Sequence, residues 1–434
     1  MARELSAASR IRGSLLGMAC GDAVGTTVEF SPRGSFPEVK DMTGGGPFRL
    51  KAGQWTDDTS LGLCLAESLI ECGKFDMTDQ LTRYCQWFSH GHLSSNGRCF
   101  DIGKTTRMAL NSFQSNRKNA EAGPVSEQSA GNGSLMRLCA APLAFWQQPH
   151  VAMEAAYLSS ITTHGAPQAR DSCRFYAGLL VGCMRGVSKE DLLSSSYSPE
   201  PGYWEKRDKP VHPAVKPVMD GSYKHSNPPE IKGTGYVVKT LEAALWAFYH
   251  TDDFESGCLK VVNLGNDADT TAAVYGQLAG AFYGVEGIPK KWLDKCALSP
   301  LIELMADEIV SMADHYSSVK PAAPLDTAEF VSTGTHAACS DEPVAPADET
   351  QASASSETCA SGKFKASEHY RQKKRGYDLL EAEVRTHRSS RAVREEIRGS
   401  RSAYDIILEK YRKLPPDSQD ECLLTSTMNQ LYRA

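Results

Sequence analysis

The sequence predicts an all-α protein. From about residue 10 to residue 316, apolar residues recur at the spacing of an amphipathic helix, as in Leu241, Ala244, Leu245 and Phe248. The alternation of apolar and polar residues that half-buried strands show is almost absent, and β-branched residues are not enriched. Both observations favour helices throughout this region.

Small residues are concentrated in one of these predicted helices. Gly276, Ala279, Gly280 and Gly284 lie within a single helical segment. Because such residues have little or no side chain, the backbones of neighbouring helices can approach one another closely there. We interpret this stripe as helix packing in the core.

The chain has 434 residues, which is long for a single domain, and its composition changes after the helical region. Residues 10–316 are predicted to form one helical domain. Residues 317–362 are rich in Ala, Pro, Ser, Thr and acidic residues, a composition typical of a disordered linker. Residues 363–434 are basic and have helical periodicity, which predicts a small helical C-terminal extension.

Two roles for the C-terminal extension are open. Its dense mixed charge is typical of a solvated pair of helices. It could instead be a docking surface for an acidic partner, either a protein or RNA. Nothing in this extension has the pattern of a catalytic motif.

Composition excludes several classes of function. The formal net charge of -6 gives no reason to expect a nucleic acid or an anionic membrane as partner of the helical domain. No apolar segment approaches the roughly 20 residues that a membrane span needs. The 13 cysteines are scattered singly, which predicts reduced thiols and a cytoplasmic location, or a nuclear one in a eukaryote.

Two acidic clusters stand directly before helical segments. GQWTDDTS places Asp57 and Asp58 between hydroxyl residues, and NLGNDADTT places Asp267 and Asp269 before Thr270. Acids at such positions could be helix caps or solvated turns. They could instead face a cation together.

The second interpretation predicts a hard metal ion. Carboxylates together with the hydroxyls of Thr56 and Thr270 form an oxygen shell that suits Mg²⁺ or Mn²⁺ and does not suit a soft metal. Several buried carboxylates without a cation would be costly. Two similar clusters in one helical domain are stronger evidence than either cluster alone.

Six motifs in order along the chain resemble those of the ADP-ribosylglycohydrolases, and in particular the dinitrogenase-reductase-activating type. The resemblance covers roughly residues 11–313. The motifs are GSLLGMACGDAVGTTVEF, MTGGGPFRLKAGQWTDDTS, FDIG, SAGNGSLMR, THGAP and NLGNDADTT. The resemblance implies that residues 10–316 are a catalytic domain with a compact, orthogonal, all-helical fold.

The resemblance also implies a binuclear metal centre with two Mg²⁺ or Mn²⁺ ions, which in two-metal sites lie roughly 3.5–4 Å apart. The metal ligands implied are Thr56, Asp57, Asp58, Asp267, Asp269 and Thr270. One departure is Asn266, which stands where the family usually has a glycine. This change leaves the implied ligands in place.

Catalytic and substrate-binding residues follow from the same resemblance. Glu29 and Asp101 would act as acid and base beside the metal ions. The residues implied to bind substrate are Gly103, Gly131, Asn132, Gly133, Ser134, His164 and Tyr236. Considered without the family, GNGS is only a turn signal, and a lone histidine is more often structural.

The activity implied is hydrolysis of an N-glycosidic bond that joins ADP-ribose to a modified protein, with ADP-ribose as product. The FDIG motif favours an arginine linkage, while serine-linked or other O-linked ADP-ribose is an alternative. A further alternative is a catalytically silent ADP-ribose-binding protein that acts through its C-terminal extension. Hydrolysis of a small phosphorylated metabolite would use the same cations but does not explain the GNGS and THGAP motifs.

Overall fold

The computed structural model describes residues 5–207, 209–318, 364–389, 411–420 and 424. In these residues the regular elements are helices, and extended pairing is limited to isolated bridges such as Gly131 with Tyr236. The all-α prediction is confirmed. The α-helices are α1 (Ala7–Gly25), α2 (Asp57–Cys72), α3 (Met77–His90), α4 (Lys104–Ser115), α5 (Ala140–Ala144), α6 (Pro149–Thr163), α7 (Pro167–Met184), α8 (Lys189–Leu192), α9 (Lys216–Met219), α10 (Val237–Tyr249), α11 (Phe254–Val262), α12 (Ala268–Tyr283), α13 (Lys290–Leu293), α14 (Ser299–Ser318) and α15 (Glu368–Ser389). Short 3₁₀ helices span Thr26–Val28, Glu127–Ser129, Ser222–Lys224, Val285–Gly287 and Pro416–Ser418.

Helices α1 and α12 form the centre of the fold and run antiparallel with their backbones in contact. A Cβ atom added to Gly17 would lie 2.3 Å from the carbonyl oxygen of Gly276, and one added to Gly276 would lie 2.0 Å from that of Gly17. Gly13 and Gly280 are related in the same way. The stripe of small residues in α12 is therefore helix packing, as predicted, and its partner is a matching stripe in α1.

This close contact determines where the site forms. Because the two helices are antiparallel, the C-terminal end of α1 lies beside the N-terminal end of α12, where Gly25 meets Ala268. Helix α2 begins at the same end, since the backbone N–H of Thr56, just before α2, donates a hydrogen bond to the Asp22 carboxylate of α1. The starts of α2 and α12 and the end of α1 thus surround one point.

Part of the C-terminal extension packs against the helical domain. In α15, Tyr370, Tyr377 and Leu380 are buried. The backbone N–H of Ser367, which precedes α15, donates a hydrogen bond of 2.9 Å to the Glu308 carboxylate of α14. Residues 319–363, which include most of the predicted linker, lie outside the described residues. The predicted domain boundaries therefore remain predictions.

Two further sequence expectations concern compartment. The cysteines in the described part of the chain are free thiols, and most of them are buried. In the same residues, no helix combines the length and apolar character needed to cross a membrane.

Candidate active site

The two acidic turns lie against each other where α2 and α12 begin. The Thr56 hydroxyl is 3.1 Å from Asp58 Oδ2 and 3.4 Å from Asp269 Oδ2. The Thr270 hydroxyl lies 3.4 Å from the same Asp58 oxygen, although these two residues are 212 positions apart in sequence. The fold therefore brings the two predicted clusters into one.

Neither turn is an ordinary helix cap. Thr56 and Asp267 occupy the N-cap positions of α2 and α12, yet neither side chain accepts a hydrogen bond from the first turn of its helix. In α3 and α11, by contrast, Asp76 and Asp253 do cap the helix in this way. The side chains of the acidic turns are directed toward the cluster instead.

A solvated turn is also excluded, because three of the four acids are buried and Asp267 is half-buried. Asp57, Asp58 and Asp269 are 4%, 1% and 1% exposed. Burial, followed by the charges of Asp101 and Asp58, raises the pKa of Asp57 well above its ordinary value. Without positive charge nearby, the folded protein therefore disfavours the ionised form of this carboxyl group.

Asp22 belongs to this cluster and was missed by the sequence analysis. Its carboxylate accepts hydrogen bonds from the backbone N–H and hydroxyl of both Thr56 and Thr59, at 2.7–3.1 Å. Oxygens of Asp22, Asp58 and Asp269 all lie within 4.8 Å of one another. The signal that could have revealed it is an aspartate in the GDAVG segment, in the part of α1 from Gly13 onward that otherwise consists of small and apolar residues.

The cluster has the properties of a cation site. Asp58 Oδ1, Asp269 Oδ1 and Glu29 Oε2 are buried and have no hydrogen-bond donor among the described residues. In the same part of the chain, no lysine or arginine forms an ion pair with these acids. A divalent cation would supply the missing positive charge and accept the free oxygen ligands.

A second group of acids adjoins the first. Oxygens of Glu29, Asp101 and Asp269 lie within 4.8 Å of one another. Asp101 has a left-handed backbone with φ of 62°, an uncommon conformation for a non-glycine residue. Burial, followed by the charges of Asp22 and Asp267, raises the pKa of Asp101 to about 8. The carboxyl group of Asp101 can therefore hold a proton near neutral pH.

The GNGS loop forms one wall of the site. The Asn132 side-chain amide donates to Asp267 Oδ2 at 2.5 Å, which fixes that carboxylate. His164 lies directly beneath the loop, because a Cβ on Gly133 would come within 2.7 Å of its ring. Burial lowers the pKa of His164 to about 3, so the ring is neutral. The contact shows that His164 supports the glycine loop.

Most of the predicted site residues line a single cleft of about 1490 Å³. Its described lining includes Glu29, Asp57, Asp101, Gly103, Gly131, Asn132, Gly133, His164, Asp267 and Thr270. Thr56, Asp58 and Asp269 lie behind this surface in the buried cluster.

Two predicted substrate-binding residues are not among the described lining residues. The Ser134 hydroxyl is buried and lies 2.9 Å from Ser160 Oγ. Tyr236 is 37% exposed and stands at the N-cap of α10, next to the lining residue Gly235. Contacts of these two side chains with a substrate remain predictions.

The rim of the cleft carries side chains that the sequence analysis did not single out. Phe30, Phe48 and Phe100 form an aromatic edge, with ring centroids 6.4 and 5.2 Å apart in succession. The basic residues that line the cleft are Arg33, Lys104, Arg107 and Lys232. The three phenylalanines belong to quoted motifs, but nothing in those motifs indicates that their rings meet. The four basic residues lie outside the motifs.

A helical fold with this acidic cleft defines a class of protein, and comparison with known proteins identifies it. The sequence model of the ADP-ribosylglycohydrolase family matches residues 3–320. The chain therefore belongs to the ADP-ribosylglycohydrolase family, as predicted. The predicted enzyme class, a glycohydrolase, is likewise confirmed.

Individual relatives are similar over most of their length. ADP-ribosylarginine hydrolase Tri1 of Serratia proteamaculans is 41% identical over 71% of this chain and 81% of the relative. ADP-ribosyl-[dinitrogen reductase] glycohydrolase of Rhodospirillum rubrum is 32% identical over 66% of this chain and 90% of the relative. A solved structure titled ADP-ribosylglycohydrolase-related protein complex is 42% identical, with a TM-score of 0.62, and covers 71% of this chain and 99% of that one.

Proposed function

We propose that this protein hydrolyses the N-glycosidic bond between ADP-ribose and an arginine side chain of a modified protein, with the help of divalent cations. The observation that carries the proposal is the pair Glu29 and Asp101, which faces the cleft directly beside the buried acidic cluster. The similarity to relatives that are named for hydrolysis of ADP-ribosylarginine supports the choice of linkage.

The metal ligands proposed are Thr56, Asp57, Asp58, Asp267, Asp269 and Thr270, which would hold two Mg²⁺ or Mn²⁺ ions. Such ions supply positive charge that stabilises developing negative charge and lowers the pKa of a bound water. Asp22 is proposed to orient Thr56, because it fixes both the backbone N–H and the hydroxyl of that residue.

Glu29 and Asp101 are proposed as the acid and base. Cleavage of the bond between ribose C1 and nitrogen passes through an oxocarbenium-like state, and the departing nitrogen must gain a proton. The carboxyl group of Asp101 can carry that proton near neutral pH, since its pKa is raised to about 8. Burial, followed by the charges of Asp269 and Asp101, also raises the pKa of Glu29, so Glu29 would need the positive charge of a bound cation to be ionised and take a proton from the attacking water.

The ADP moiety is proposed to bind along the basic and glycine-rich walls. The side chains of Arg33, Lys104 and Arg107 bring positive charge to the cleft, which suits a diphosphate. The loop at Gly131 and Gly133 lets the backbone approach a ligand without obstruction by side chains. The predicted contacts of Gly103, Ser134, His164 and Tyr236 with substrate are part of the same proposal.

The aromatic edge favours arginine as the acceptor. Phe30 follows Glu29 and Phe100 precedes Asp101 in sequence, and all four residues line the cleft, so aromatic rings share its wall with the two catalytic carboxyl groups. A substituted guanidinium group is a planar cation that binds both to carboxylates and to ring faces. Serine-linked ADP-ribose offers no such cation.

The test compares one carrier protein that is ADP-ribosylated on arginine with the same carrier modified on serine. With Mg²⁺ present, we expect ADP-ribose to be released from the arginine-linked substrate at least about a hundredfold faster. Asp101→Asn serves as the inactive control. Equal release from both substrates, or faster release from serine, would contradict the arginine assignment and support the O-linked alternative.

No release from either substrate by a folded, cation-loaded protein would contradict the proposed activity as a whole. It would favour the silent ADP-ribose-binding alternative, in which the C-terminal extension is the working part. The cytoplasmic location and a protein partner for that extension remain predictions.

A further inference from the structure

Helix α15 lies outside the part of the chain that matches the family, which ends at residue 320. It nevertheless packs on the helical domain through buried charged groups. Lys374 and Glu381 of α15 are both 6% exposed. Lys374 Nζ is 2.5 Å from Glu67 Oε1 of α2, and Glu381 Oε2 is 2.8 Å from His92 Nδ1.

These contacts form one continuous network across three helices and the loop after α3. His92 Nε2 is 2.7 Å from Glu67 Oε2, so the His92 ring lies between a carboxylate of the helical domain and one of α15. Arg83 of α3 contacts Glu67 as well, at 2.5 Å. Charged groups this deeply buried are stable only with all partners in place.

Glu381 also holds a strained backbone. Its Oε1 accepts a hydrogen bond of 2.8 Å from the backbone N–H of Leu93. Leu93 is fully buried and has a φ of 54°, in the left-handed region. Such a conformation persists in a non-glycine residue when surrounding contacts fix it, and α15 supplies one of these contacts.

Residues 91–97, here called the coupling loop, connect this network to the catalytic residues. The loop leads along the chain to Asp101, which also has a left-handed backbone. Its Ser95 hydroxyl donates to the carbonyl oxygen of Trp55 at 2.5 Å, directly before Thr56. The Gln54 side chain donates to the Ser95 carbonyl at 3.2 Å. The coupling loop therefore contacts both the metal-ligand turn and the segment that carries Asp101.

We propose that α15 is a positioning element of the active site, and that Glu381 acts through His92 and Leu93 to fix the coupling loop and, through it, Asp101 and the Thr56 turn. This proposal rests on the proposed function for its catalytic readout. Glu381 is not among the described residues that line the cleft, so it is a positioning residue.

Three full-length variants test this role. Glu381→Gln removes the charge that faces His92, and Glu381→Asp keeps that charge. Glu368→Gln is the matched control, because it makes the same change on the same helix at an exposed residue that pairs with Arg371 and Arg375 of its own helix. For each variant, kcat and KM for arginine-linked ADP-ribose are measured well below the melting temperature.

We expect Glu381→Gln to lower kcat at least about tenfold while KM changes less than about twofold, since misplaced catalytic groups reduce the rate of the chemical step. Glu381→Asp should recover part of this loss, and Glu368→Gln should match the wild type. Wild-type kcat in Glu381→Gln, or a fall in thermal stability without a change in kcat, would overturn the proposal.

Hydrogen exchange provides a readout that needs no substrate. Peptides that cover residues 91–103 should exchange faster in Glu381→Gln than in the wild type or in Glu368→Gln. Unchanged exchange would overturn the positioning role even if the enzyme is active. Failure of the wild type to release ADP-ribose would count against the proposed function alone, and the exchange comparison would still decide this inference.

Discussion

Asp57 and Asp58 are neighbours in sequence, but the fold places them in different surroundings. Asp57 faces the cleft, whereas Asp58 lies behind it against Thr56 and Thr270. Because the first turn of a helix directs successive side chains about 100° apart, adjacent acids can serve two positions around one centre. This explains why two acids can be consecutive in the sequence although their charges repel each other.

At the same scale, we expect one substitution to impair cation binding and another to impair proton transfer. Asp269→Asn should weaken Mn²⁺ binding at least about tenfold in calorimetry. The reason is that the Asp269 carboxylate belongs to both acidic groups, the one with Asp58 and the one with Asp101. Asp101→Asn should keep Mn²⁺ binding and lose about 10²–10⁴-fold in kcat. Intact Mn²⁺ affinity in Asp269→Asn would contradict the proposed ligand set.

Sequence reasoning found the clustered acids from their positions, and Glu29 and Asp101 from the family resemblance, but it missed Asp22. Asp22 lies in the small and apolar second half of α1, and only the fold shows that Thr56 and Thr59 donate to it. The rim aromatics were missed for a related reason. They come from distant segments, so their proximity depends on tertiary structure that no local pattern encodes.

At the scale of elements, the contact between α1 and α12 holds the acidic residues of the site together. The stripe in α12 was visible in the sequence as closely spaced small residues. Its partner in α1 was not identified, because the two helices lie near opposite ends of the domain and their pairing depends on the whole fold. The consequence is that Asp22 and Asp269 are held beside each other by backbone contact, with little freedom to move apart.

Gly276→Ala tests this contact. The added methyl group would lie 2.0 Å from the Gly17 carbonyl oxygen, so α1 and α12 must separate. We expect the free energy of unfolding in urea to fall by about 2 kcal/mol or more, although alanine is the better helix former.

The matched control is Gly178→Ala in α7. Its added methyl group would first meet side-chain atoms of Pro199 and Met153, at 3.3 and 3.5 Å. This change should alter the free energy of unfolding by less than about 1 kcal/mol. Similar destabilisation by both variants would mean that the α1–α12 contact is less tight than the structure indicates.

At the scale of the whole molecule, the periodicity of the sequence predicted that the extension is helical, but nothing predicted what it contacts. Its basic residues suggested an acidic partner, and for Lys374 the acidic group is Glu67 of the same chain. The sequence could not show this, because the buried acid and the buried base lie on opposite sides of a segment that resembles a linker. Residues 390–410 lie outside the described part, so the partner hypothesis for them stays a prediction.

The ionic network predicts how stability depends on pH. Burial lowers the pKa of His92, but the charges of Glu67 and Glu381 outweigh this effect and raise it to about 10, from an ordinary value of 6.5. A raised pKa stabilises the folded state fully below about pH 6.5, and this contribution is lost as pH rises toward 10. His92→Gln should therefore be less stable than the wild type near pH 6.5.

The difference between wild type and His92→Gln should shrink by up to about 1.4 kcal/mol per pH unit as pH increases from 7 to 10. Urea unfolding at pH 6.5, 8 and 9.5 measures it. A difference that stays constant over this range would show that His92 is neutral in the folded protein.

The central claim is that the buried carboxylates hold cations that the hydrolysis of arginine-linked ADP-ribose requires. The most direct measurement is ADP-ribose release by the wild type after removal of metal with EDTA, and again after addition of excess Mg²⁺ or Mn²⁺. We predict that release stops without metal and returns when either ion is added, while the helical circular dichroism signal persists throughout. Undiminished release from arginine by the metal-free protein would contradict the account.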